Sequence, residues 1–375
     1  MKTVVKLFIL AVLLSACKGG HKSTSLQTDG DTVAFKYATQ ISVVKCDSYT
    51  VATIKNPWKE GMTLHRYVLV PASQDVPNHI PEGTIIRTPL KRAVMFATVH
   101  CAMLMEFGKQ DCIAGVADLK YIKIPWIQEQ VAQGRITDVG DGMSPVIEKI
   151  IDDHPDALFL SPFENSGGYG KLEEISIPIV ECADYMESSP LARAEWLKFY
   201  GMLFGCEDRA DSLFQAVDTN YHQLKALAAK AKSKPSVLVD KVTGSVWYVP
   251  AGKSTIGQMI KDANGNYPWG DDAHSGSISL PFETVLERAG EADVWLFRYS
   301  GNHDITYDEL LGEHHGYNQF EAFKHRMAYA CDVERSPFYE ESPFHPERLL
   351  NDFIKILHPE LEGLAPLRYY KKVSR

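Results

Sequence analysis

Apolar and polar positions change their spacing twice along the chain. Residues 41–45, 49–54 and 67–70 read as short strands in a β-rich opening. Beyond Lys91, strands and helices alternate. Residues 93–98 form a mostly apolar run of strand length. Residues 99–107 then carry apolar positions at helical spacing and stop at Gly108, where a left-handed C-cap favours glycine. Residues 112–116 return as a strand, and Ser144-Pro145 is expected to open a helix through Ile151, with proline suited to the first helical position. Residues 157–160 and 177–182 follow as buried strands. This order predicts a parallel sheet covered by helices.

From Ser189-Pro190 the pattern becomes helical throughout. Leu213, Phe214, Val217, Tyr221, Leu224, Leu227 and Ala228 recur at three and four, giving one face of a long helix over 208–232 that Pro235 terminates. Alternation resumes with strands at 236–239, 246–249 and 294–297, a helix from about Ser254, and a closing helix near 346–357. The halves echo each other. Pro145, Glu148, an apolar helix, Pro155-Asp156 and Ala157-Leu158-Phe159-Leu160 match Pro281, Glu283, an apolar helix, Ala292-Asp293 and Val294-Trp295-Leu296-Phe297. The fold class expected is α/β: two lobes with mainly parallel central sheets, residues 35–187 and 235–375, joined across 188–234 by a single long helix.

The beginning of the chain adds a compartment. Lys2 and Lys6 precede a short apolar run that ends at Leu14-Ser15-Ala16-Cys17, the order of a secretory signal. Residues 1–16 are therefore expected to be removed and Cys17 to be lipidated, for Leu14 to Cys17 resemble a bacterial lipobox. Each buried acyl CH2 contributes about 0.8 kcal/mol, so several chains hold a soluble domain at a membrane. Residues 17–34 read as a flexible tether because they are small, polar and aperiodic. The residues after Cys17 include no acidic run, which favours a periplasm-facing anchor.

Charge excludes one class of partner: at −9 and without a basic stripe, the chain has nothing to neutralise nucleic-acid phosphates. Seven cysteines less Cys17 leave six, with fifteen possible pairings and no C-x-x-C, so free core thiols are expected. Gly252-Lys253-Ser254-Thr255 looks like the end of a P-loop, but Trp247 occupies the position of its first glycine, so a turn opening a helix is expected. His303, His314 and His315 lie in a polar loop with Asp304 and Glu313, without zinc-ligand spacing, and no metal site is assigned. No G-x-S-x-G elbow occurs, and no catalytic residue or resident cofactor can be named. Aromatic residues beside turn residues at strand ends remain. Tyr121, Trp126, Trp247, Tyr248 and Trp269 are candidate walls of a ligand cleft, with Arg298 for an anionic ligand. Trp247 divides evenly between cleft and core; Trp295, inside an apolar run, reads as core.

Taken together, these residues resemble the ferric-siderophore and vitamin B12 class of periplasmic binding proteins. The resemblance runs from about Lys91 to the C-terminus. It is carried by Arg92 to Phe96 with the helix to Gly108, then Ile113-Ala114-Gly115-Val116, Val139-Gly140-Asp141, Glu148 and Pro155-Asp156-Ala157-Leu158, then Glu283-Thr284-Val285-Leu286 and Ala292-Asp293-Val294. Residues 31–90 have no counterpart in it. It implies two rigid lobes on one backbone helix, a ligand in the cleft, and docking on an ABC importer permease through Glu148 and Glu283. The bland reading of both glutamates is stabilisation of a helix N-terminus. The ligand implied is an iron chelate, haem or cobalamin, and the protein a monomeric binder and not an enzyme. Two alternatives stay open: a zinc- or manganese-ion binding protein of an importer, and an exported α/β enzyme.

Overall fold

The computed structural model describes residues 30–164 and 168–374. The signal segment, Cys17 and the tether as far as residue 29 lie outside them. Residues 31–90, without a family counterpart, begin with a sheet of their own. It comprises β1 (Asp31–Val33), β2 (Ile41–Lys45), β3 (Thr50–Lys55), β4 (Thr63–Pro71) and β5 (Thr84–Thr88), neighbours in chain order. All pairs are antiparallel except β4 with β5. Ile41, Val43, Ala52, Ile54, Tyr67, Leu69 and Ile86 alternate along these strands and enter the main core, as a half-buried sheet requires. Because Asp31–Val33 pairs with β2, the tether stops short of the expected residue 34.

The next sheet is built from β6 (Ala93–Met95), β7 (Ile113–Val116), β8 (Thr137–Asp138), β11 (Ala157–Leu160) and β12 (Ile179–Glu181). A small hairpin, β9 (Gly140–Asp141) with β10 (Ser144–Pro145), interrupts the sequence. The strand order is β12-β11-β6-β7-β8, all parallel. Helices α1 (Thr98–Phe107), α2 (Pro125–Ala132), α3 (Ile147–Asp152) and α4 (Lys171–Glu174) belong to the same lobe. Ala93, Met95, Ala157 and Phe159 face the main core, whereas Val94, Leu158 and Leu160 face a second cluster with Ile150 and Leu172. Burial on both faces explains the unbroken apolar runs. Ser144-Pro145 does not open a helix. The Val146 amide donates to Val139 O at 2.8 Å, closing a hairpin through Gly140 at φ 92°, so α3 starts at Ile147.

The helical connector holds three helices in series, α5 (Pro190–Glu195), α6 (Leu197–Phe204) and α7 (Glu207–Ala228), the last being the long helix expected. Ser189 caps α5 by accepting from the Ala192 amide at 3.1 Å, and Gly205, at φ 60°, ends α6. With 22 residues, α7 is about 33 Å long. It buries Phe214, Val217 and Tyr221 on the face read from the sequence. Two carboxylates fasten the first sheet to this connector. Glu195, fully buried, accepts from the amides of Lys36, Tyr37 and Ala38 at 2.8, 2.7 and 2.9 Å. Glu187 accepts from those of Thr39 and Gln40 and from the Trp196 ring N–H.

The second lobe repeats the plan. Strands β13 (Val237–Val239), β17 (Val294–Tyr299) and β18 (Ala328–Asp332) are parallel, and β19 (Tyr370–Lys372) adds an antiparallel edge. A separate antiparallel sheet holds β14 (Val242–Thr243), β15 (Val246–Pro250) and β16 (Ser277–Leu280). The helices are α8 (Thr255–Asp262), α9 (Phe282–Ala289), α10 (Tyr307–Glu313), α11 (Glu321–Lys324), α12 (Phe338–Glu341) and α13 (Pro346–Leu357). Ser254 caps α8, accepting from the Gly257 amide at 3.0 Å, so the P-loop-like tetrapeptide is a turn that opens a helix. Among the described residues, no helix is long and apolar enough to cross a membrane.

Candidate ligand-binding cleft

In open parallel sheets, ligands gather beyond the carboxyl ends of the strands, where loops are free of the sheet. Here a hollow of about 300 Å³ lies beyond the ends of β6 and β17 and takes its walls from both lobes. Ala97 and Thr98 enter from the first lobe, Arg193 from α5, Ile256 and Met259 from α8, and Phe338 and Tyr339 from α12. Arg298, near the end of β17, completes it. The lobes also touch beside it: the Thr98 hydroxyl donates to Glu340 at 3.1 Å, and Lys123 pairs with Glu334 at 2.9 Å.

Both arginines are backed by carboxylates. Asp240 accepts from Arg298 Nε at 3.1 Å and Nη2 at 2.7 Å, a bidentate pair. Burial works against the Arg298 charge, but the Asp240 charge and hydrogen bond outweigh it and raise its pKa. The Arg298 guanidinium also lies 5.8 Å from the centre of the Phe338 ring. Arg193 Nε donates to Asp184 at 3.0 Å, and the Tyr200 hydroxyl donates to the same carboxylate at 2.7 Å. Burial pushes Asp184 up, yet hydrogen bonding from His100 and the Arg193 charge hold it at about 2. It therefore stays ionised inside the core.

Of the six side chains expected to wall the cleft, Arg298 alone lines this hollow. Trp247 and Trp269 are corrections to that expectation, since they are 0% and 2% exposed. Trp247 sits mid-strand in β15, donates its ring N–H to Val239 O at 2.9 Å and packs on Trp295, Tyr317 and Phe320. Trp269 packs on Tyr267 under the Arg288 guanidinium. Trp295 is core, as expected. Alternation along β15 turns Tyr248 outward, 47% exposed, while Tyr121 is exposed with Lys120 over its ring and Trp126 is half-buried against the core. Sequence reasoning missed Arg193, Phe338 and Tyr339. The last two follow Pro337, so the criterion of aromatics beside turn residues applied to them as well.

Glu148 and Glu283 are both exposed, each the second residue of its helix, α3 and α9. Among the described residues, neither carboxylate has an ion-pair partner. Two of the three loop histidines are engaged: His303 bonds Asn302 and Glu309, and His314 accepts from the Gly316 amide, while His315 is exposed. No group of three or more metal-ligating side chains is assembled among the described residues. All six described cysteines are free, with Cys101, Cys182 and Cys331 buried.

Comparisons with known proteins agree with this architecture. An uncharacterized lipoprotein of Methanocaldococcus jannaschii is 27% identical over 399 residues, covering 96% of this chain and 94% of its own. A second from the same organism is 26% identical, covering 98% of this chain and 100% of its own. Among solved structures, a periplasmic heme binding protein from Pseudomonas aeruginosa superposes with a TM-score of 0.60 at 15% identity, over 76% of this chain and 99% of that one. An Fe3+-hydroxamate transport system protein from Saccharomonospora viridis gives 0.57 at 17% identity, over 72% and 94%. These likenesses establish the shared two-lobed fold. The periplasmic binding protein model matches residues 102–334, from within α1 to just past β18, and the chain belongs to that family.

Proposed function

We propose that this protein is the substrate-binding lipoprotein of an ABC importer, capturing an iron complex (a siderophore or haem) or cobalamin and presenting it to the permease. One observation carries the reading: a hollow with walls from both lobes lies beyond the carboxyl ends of their parallel strands. Its Phe338, Tyr339 and Met259 suit the flat or apolar body of a chelate, and its arginines suit a polar rim. Relatives named as lipoproteins, and a structural neighbour named for heme, support the same assignment. Lipidation at Cys17 would keep the binder beside its permease, outside the membrane it serves. Exposed Tyr248 and Tyr121 belong to the proposed outer rim of the cleft, together with half-buried Trp126. Glu148 and Glu283, one on each lobe, are the proposed docking contacts. The test is an absorption titration of the mature protein with haem, a ferric hydroxamate and cobalamin. Saturable binding of one of them is expected; binding of none would sink the reading.

A further inference from the structure

The interlobe hollow receives one guanidinium from the connector and one from the second lobe, and each is tied on one side only. Arg298 gives Nε and Nη2 to Asp240, and Arg193 gives Nε to Asp184. A guanidinium has five N–H donors in a rigid plane, so an edge of each remains for a ligand. Among the described residues, the Nη groups of Arg193 have no hydrogen-bond partner. The holding carboxylates are themselves fixed. Asp184 is 1% exposed, and Asp240 takes a left-handed backbone, φ 58°, with its amide bonded to Leu296 O and its carbonyl to the Trp295 ring N–H. Left-handed backbone outside glycine is uncommon and is kept where the surroundings impose it. Both arginines are thus set in place before a ligand arrives.

We infer that the hollow selects a metal chelate carrying two acid groups on its rim, one for Arg193 and one for Arg298. This rests on the chelate-binding reading above and adds the charge class of the ligand. Net charge does not do the selecting, because Asp184 and Asp240 offset the two arginines and Glu340 stands at the rim on Thr98. Direction does. A neutral chelate filling the hollow would strip water from two guanidinium edges and leave them unpaired, the costliest state for a charged donor. Two carboxylates meet those edges, while Ile256, Met259 and Phe338 cover the apolar body between them.

Haem and its dimethyl ester provide the test, because they share ring and metal and differ in their two acid groups. Both are titrated into the full mature chain in one solvent mixture. The diacid is expected to bind about a hundredfold more tightly than the diester, about tenfold for each arginine contact. Arg193→Gln and Arg298→Gln should each weaken the diacid about tenfold and leave the diester unmoved. Equal affinity of the unmodified chain for diacid and diester would overturn the inference, even if the variants fold poorly. Binding of neutral cobalamin or a neutral ferric hydroxamate in place of haem would also overturn it, with the transport reading intact. Binding of no chelate would remove both.

Discussion

His345, at the start of α13, and Glu106, near the end of α1, join the two lobes, ring Nε2 to carboxylate across 2.5 Å. The other ring nitrogen meets Glu347 at 3.1 Å, and Arg348 lies 3.8 Å from both Glu106 and Glu347. Burial pushes the imidazole down, but the hydrogen bonds and charges of Glu106 and Glu347 prevail and raise it to about 9. A raised folded-state pKa stabilises below the unfolded value near 6.5, and that contribution disappears as pH climbs through about 9. Denaturant unfolding from pH 6 to 10 should show a loss on the order of 3 kcal/mol. Glu106→Gln should flatten that slope, and an unchanged slope would remove the pair from the stability of the interface.

A second expectation concerns the sheet of residues 31–88. Glu195→Ala would leave the buried amide of Ala38 and the part-buried amides of Lys36 and Tyr37 without their acceptor. An unpaired buried donor costs about 1–3 kcal/mol and a part-buried one less, so a loss on the order of 2 kcal/mol is expected. Glu195→Gln retains one oxygen and should recover part of it. Equal melting of all three proteins would show that the sheet is held by its apolar face alone.

That sheet also marks how far the sequence could be read. The strands at 41–45 and 157–160 and the helix 346–357 carry bounds identical to those expected, because alternation, continuous burial and helical spacing each leave a clear trace. Strand β18 escaped notice: Ala-Tyr-Ala-Cys-Asp is weakly apolar, although it lies between β17 and β19. Strand β5 hides between Pro81 and Pro89. For the cleft, an aromatic residue near a strand end reads the same whether its ring turns inward or outward. Trp247 and Tyr248 are adjacent, and the pairing of β15 with β14 and β16 puts one in the core and the other in solvent. Arg193 was illegible because its partner Asp184 gains meaning only when α5 packs back on the strand end.

Docking on a permease predicts a phenotype separate from ligand binding. The family resemblance implies that the two glutamates meet permease arginines, so reversing Glu148 and Glu283 to arginine would set like charges against them, at a cost of several kcal/mol. The fold loses only about 0.3–1 kcal/mol per first-turn carboxylate. The double variant should bind its chelate, melt close to the parent and fail in uptake. Normal uptake by the folded double variant would leave both glutamates as helix-end residues.

The anchor is tested by fractionation. Cys17→Ser should move the protein out of the membrane fraction or leave its signal uncut, and a correctly cut variant that remains with the membrane would point to another tether.

The most direct test of chelate capture is the stoichiometry of binding. Mature protein, stripped of any carried ligand, is titrated with haem, ferric hydroxamate and cobalamin while absorption is followed at the chelate's own bands. One chelate is expected to saturate at one equivalent per chain, and Arg298→Gln should weaken it about tenfold or more. No spectral change with any of them, from a protein that melts cooperatively, would contradict the assignment of the interlobe hollow as a chelate site.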